Sequence, residues 1–171
     1  MIYLTGEINE ESATAVIKEL NAATGDVKLY INSPGGEMEH AFAIFDTIRS
    51  MGHMVTTHAI GQCCSAAPLI LVAGDIRSAA PNTSWMLHSA SLTDLNETLK
   101  VAQQHVDLTQ SIMNKYATIL GQRTGKDKRF WLRIFNSGGD RYFDSTQALE
   151  WGIVQGIWKD KSDNSKKKIK D

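Results

Sequence analysis

The sequence predicts one α/β domain in which helices cover a largely parallel sheet, and three observations carry that reading. Val27, Leu29 and Ile31 alternate with Lys28 and Tyr30 as in a strand with one buried face. Met38, Ala41, Phe42, Phe45, Ile48 and Met51 then recur at helical spacing, and the β-branched run Val55-Thr56-Thr57 returns to strand. A chain of 171 residues fits a single domain, and 42% apolar with 22% charged residues is enough to bury a real core.

Residues 2–5 form a short apolar strand candidate ahead of this pattern. Asn9 followed by Glu10 and Glu11, then Val16, Ile17 and Leu20, reads as an N-cap, acids in the first turn and a helix with one buried stripe, ended at Gly25-Asp26. Ser33-Pro34-Gly35-Gly36 breaks the second strand sharply, and Gly52 stops the second helix. Residues 69–74, Leu-Ile-Leu-Val-Ala-Gly, are apolar on every side, which predicts a central, fully covered helix.

Arg77 to Pro81 reads as a turn and Ser84 to His88 as a further strand. Asp94 with Glu97 resembles a capping box opening a helix over 95–120, striped by Leu95, Leu99, Ala102, Val106, Met113, Ala117 and Leu120, with Gly121 as its stop. At roughly 39 Å such a helix is too long to lie along a small domain and should project from it, its stripe covered by self-association. Asp144 with Gln147 opens a short helix ended by Gly152. The domain is expected to span 1–158, and the lysine-rich segment 159–171 to be a disordered tail.

Eighteen Lys and Arg against nineteen Asp and Glu give a formal charge of −1, which removes the electrostatic case for nucleic-acid binding. Cys63 and Cys64 are neighbours, so a disulfide framework is excluded and a metal site is not expected. No run approaches the roughly 20 apolar residues of a membrane span, and no leader precedes the first strand; the expected setting is a soluble, reducing, cytoplasmic one.

Ser65 lies between a strand and the apolar helix, flanked by the small residues Cys64, Ala66 and Ala67. Such a turn presents a hydroxyl where free backbone N–H groups stabilise developing negative charge; the alternative is a serine that caps the helix. A nucleophilic serine needs a base oriented by a third group. Among five histidines His88 leads, because it ends a strand. Gly35-Gly36 lets backbone approach another group closely and could present an N–H to an oxyanion, or simply make a turn. Asp140 is locally unmarked beside Asp94 and Asp144.

Read together, the motifs resemble a known pattern. Ile31-Asn32-Ser33-Pro34-Gly35-Gly36, Gly61-Gln62-Cys63-Cys64-Ser65, Pro81-Asn82 ahead of Met86-Leu87-His88, and Asp140-Arg141-Tyr142 with residues 148–154 resemble the ClpP family, the proteolytic subunits of Clp proteases. The likeness runs from Met1 to about Trp158.

The resemblance implies a crotonase-like head with a long-helix handle, and a serine endopeptidase with Ser65 as nucleophile, His88 as base and Asp140 as its orienting acid. It implies an oxyanion hole from the Gly36 and Ala66 N–H groups, and no cofactor or metal. It also implies heptameric rings stacked into a tetradecamer, unfolded-protein or peptide substrates, and a ring-shaped AAA+ unfoldase as partner.

Four departures accompany it. The family's further N-terminal segment, which forms axial loops, is not represented ahead of the first strand, and Cys63-Cys64 stands where alanines are usual. Residues 89–93 lack the glycines of the family's ring-contacting strand, and Gly139 stands where an arginine usually precedes the acid. The alternatives are a non-catalytic ring subunit and a crotonase-type acyl-CoA enzyme, the latter needing no serine.

Overall fold

The computed structural model describes residues 1–89 and 99–159. Strands β1 (Ile2–Thr5), β2 (Val27–Ser33), β3 (Val55–Cys64), β4 (Ile76–Ala79) and β7 (Gly156–Ile157) lie side by side in that order, all parallel. Between Ile31 and Ser33 of β2 the pairing with β3 shifts, from Ile31 opposite Ala59 to Ser33 opposite Cys63. This bulge divides β3 into two halves. The first half pairs with β4, and the second, Gln62–Cys64, pairs in parallel with β5 (Ser84–Leu87). Strand β6 (Arg141–Phe143) closes antiparallel on β5. The mixed, mostly parallel sheet expected from the sequence is therefore present.

Local signals explain most of the helices. Asn9 caps α1 (Glu10–Ala22) through a reciprocal box with Ser12, and Ala13, Val16 and Leu20 form its buried stripe. α2 (Met38–Ser50) buries Ala41, Ile44, Phe45 and Ile48. α3 (Ala67–Leu71) has every residue buried, as expected of a helix apolar on all sides, but it starts two residues before the expected 69–74 and ends at Leu71, residues 72–74 being a turn. Asp144 caps α6 (Ser145–Glu150) by accepting from the Gln147 N–H at 2.8 Å.

Other expectations are corrected. Residues 76–79 are β4 rather than a turn, because the Arg77 guanidinium is buried by donating to backbone carbonyls, at 3.0 Å to Ile153 and 3.0 Å to Arg123. The long helix α4 is described over Leu99–Thr124, so Gly121 does not stop it. Gly121 instead makes room for the following turn, since a Cβ there would stand 3.2 Å from the Lys126 carbonyl oxygen. The Asp94–Glu97 box, Leu95, residues 90–93 and the tail beyond Lys159 lie outside the described residues.

On α4, Met113, Tyr116, Ala117 and Leu120 of the second half are buried, whereas Gln103, Gln104, His105, Asp107 and Leu108 of the first half are exposed. A further helix, α5 (Lys128–Phe135), buries Trp131 and Phe135. Trp131, Trp151, Phe143 and Trp85 form a run of ring contacts, 6.0, 4.7 and 5.8 Å between centroids, that ties α5 and α6 to the β5–β6 pair. His88 and Asp140 flank that pair, so the aromatic run braces the ground on which they stand.

Candidate active site

Position 65 departs from the helix-cap alternative. The N-cap of α3 is Ala66, with no side-chain capping bond, and Ser65 precedes it with φ 56°, the one positive φ outside glycine among the described residues. Left-handed backbone is costly for a residue with a Cβ, and it turns the side chain out of the β3 ladder. The Ser65 hydroxyl lies 2.6 Å from His88 Nε2. Its N–H donates to the Met86 carbonyl at 2.8 Å, and its carbonyl accepts the Tyr116 hydroxyl at 3.0 Å.

His88 follows β5, and Asp140 precedes β6, antiparallel to it. The two approach to 3.7 Å, Nδ1 to Oδ1. That is ion-pair distance, longer than a hydrogen bond. The second Asp140 oxygen accepts the Tyr142 hydroxyl at 3.1 Å, which pushes the Tyr142 phenol above its ordinary range.

The glycine loop lies directly against the serine. Ser33 Oγ accepts the Gly35 N–H at 3.0 Å, the Gly35 carbonyl accepts from Ile8, and the Ile8 carbonyl accepts from Glu37. Gly35 sits at φ 100°, and a Cβ there would stand 2.6 Å from the Ser65 Cβ and 2.7 Å from the Cys64 carbonyl oxygen. Only glycine permits this approach. Among the described residues neither the Gly36 nor the Ala66 N–H has an acceptor within the chain.

The five residues singled out in the sequence, Ser65, His88, Asp140, Gly36 and Ala66, thus border one region. It opens on a groove of about 620 Å³ whose walls include Met38, Met86, Leu108, Ile112 and Met113. Both thiols ahead of Ser65 are pushed up by burial, Cys63 the more strongly. Among the described residues no group of three or more His, Cys, Asp or Glu is placed to hold a metal.

Two side chains at the site were missed in the sequence. Tyr116 lies 51 residues from Ser65, and no local signal links them. Tyr142, two residues beyond Asp140 where a strand returns to the same side, was within reach of the period-two rule.

Comparison with known proteins follows the same lines. The family model described as Clp protease matches residues 1–161. The chain is 30% identical over 181 aligned residues to an ATP-dependent Clp protease proteolytic subunit of Ligilactobacillus salivarius, covering 99% of this chain and 86% of that protein. To ATP-dependent Clp protease proteolytic subunit 2 of Treponema denticola it is 28% identical over 169 residues, covering 95% and 83%. Among the described residues no helix is long and apolar enough to cross a membrane.

Proposed function

The chain belongs to the Clp protease family, and on that premise we propose that it is a serine endopeptidase acting through Ser65, His88 and Asp140. The observation that carries this reading is the 2.6 Å contact between Ser65 Oγ and His88 Nε2 at a strained position facing an apolar groove. Ser65 Oγ forms a bond to the peptide carbonyl carbon while His88 Nε2 takes its proton. The carbonyl oxygen, now negative, is met by the Gly36 and Ala66 N–H groups. Collapse breaks the C–N bond, the amine leaves with the His88 proton, and water activated by the same imidazole releases the acyl group.

Family membership further supports a crotonase-like head, with α4 as the handle of a heptameric ring, stacked in pairs and supplied with unfolded chains by a Clp ATPase in the cytoplasm. The exposed first half of α4 is consistent with burial between subunits. A fluorophosphonate probe is expected to label the wild-type assembly at Ser65 and to leave Ser65→Ala unlabelled, and native mass measurement to return a multiple of seven. Unlabelled wild-type protein of ring mass would instead favour the non-catalytic subunit, for which the 3.7 Å separation of His88 and Asp140 speaks.

A further inference from the structure

We propose that Tyr116 is a positioning residue for the oxyanion hole: its hydroxyl pins the Ser65 carbonyl and thereby aims the Ala66 N–H on the far side of the same peptide. This rests on the peptidase reading and adds to it a residue that acts through the backbone beside the nucleophile.

The argument starts from one peptide unit. The Ser65 carbonyl and the Ala66 N–H share a plane and, in a trans peptide, point in opposite directions. Whatever fixes the carbonyl fixes the N–H. Among the described residues the carbonyl receives one hydrogen bond, from the Tyr116 hydroxyl at 3.0 Å, while the Ala66 N–H has no acceptor.

The donor is rigidly held. Tyr116 is 1% exposed and packs against Phe135 with ring centroids 5.0 Å apart, one turn from buried Met113 and Leu120 on α4. Burial first of all pushes its phenol well above the ordinary range, so it remains protonated and able to donate to a carbonyl.

The bond restrains one specific rotation. The 65–66 peptide turns about the Ser65 Cα–C and Ala66 N–Cα bonds, so its rotation re-aims the Ala66 N–H while φ of Ser65 stays at 56°. With the hydroxyl in place, that rotation strips the Ser65 carbonyl of its partner. Removing the hydroxyl lifts that cost, and the Ala66 N–H is free to swing out of line.

Tyr116→Phe keeps the ring and removes only the donor. In the assembled enzyme, kcat for an apolar peptide and the fluorophosphonate labelling rate are expected to fall about tenfold to a hundredfold, with KM within about twofold, as loss of a transition-state contact requires. Phe135→Leu, which loosens the ring but keeps the hydroxyl, serves as the stability control and is expected to lower the melting temperature without the kcat loss. A kcat for Tyr116→Phe within twofold of wild type, a loss confined to KM, or an equal kcat loss in Phe135→Leu would overturn the inference. A wild-type assembly that takes no label removes the peptidase reading itself, and the inference with it.

Discussion

His88 and Asp140 meet across the open end of the β5–β6 pair at 3.7 Å, Nδ1 to Oδ1, while the other carboxylate oxygen is engaged by Tyr142 at 3.1 Å. At that separation Asp140 can influence the imidazole through charge more than through a short hydrogen bond, and its side chain is 46% exposed. Solvent at that distance weakens the interaction. Asp140→Asn is expected to lower kcat by about tenfold to a hundredfold, less than the roughly ten-thousandfold typical of a tightly bonded triad acid. A pH–rate profile of the assembled protein checks it, and an unchanged kcat would remove Asp140 from the mechanism.

Ser65 is held at φ 56°, a conformation glycine adopts freely. Ser65→Gly is expected to be inactive yet more stable than Ser65→Ala by about 1 kcal/mol, since alanine keeps the Cβ and its strain. Denaturant unfolding of the two inactive variants measures the difference.

Gly35→Ala places a methyl group 2.6 Å from the Ser65 Cβ at φ 100°. Neither neighbour is the end of a flexible chain, so the loop must retreat from the serine. Loss of labelling together with destabilisation of about 2 kcal/mol or more is expected, read by probe incorporation and thermal melting.

Cys63 is fully buried and Cys64 nearly so, and desolvation raises both thiols above their ordinary range. Their thiolates are correspondingly scarce near neutral pH. Alkylation by iodoacetamide at pH 8 is expected to be at least about tenfold slower in the native protein than after unfolding.

Asp75 is the clearest acid switch in the fold. Its carboxylate accepts the Val55 N–H at 3.0 Å and pairs with Arg49 at 2.8 Å; these bonds, the backbone one foremost, hold its pKa below the ordinary carboxylate value. A lowered folded-state pKa means stability that is present above about pH 4 and lost as pH falls through the depressed value. Asp75→Asn is expected to be less stable than wild type at pH 7, with the gap closing below about pH 4 in melting curves.

What the sequence revealed and what it concealed separate along physical lines. The Asn9 and Asp144 caps were legible because a cap joins residues three apart, and α3 because an apolar face all round has one meaning. Strand β4 was not, since Arg77 reads as solvated until the carbonyls of Arg123 and Ile153 arrive from far along the chain. Helix α5 went unmarked although its Trp131 anchors the aromatic brace behind the site. Ser65 and His88 were legible as a pair of chemical types, and their family pattern supplied Asp140. The Tyr116 contact needs the fold itself, because only the packing of α4 on α3 brings residue 116 to residue 65.

The backward-wound residue before α3 also bears on how such a chain would change over time. A lineage released from the need for a reactive hydroxyl would gain robustness by drifting to glycine there, since folding alone favours the substitution. The serine is thus a choice that the architecture tolerates and does not reward.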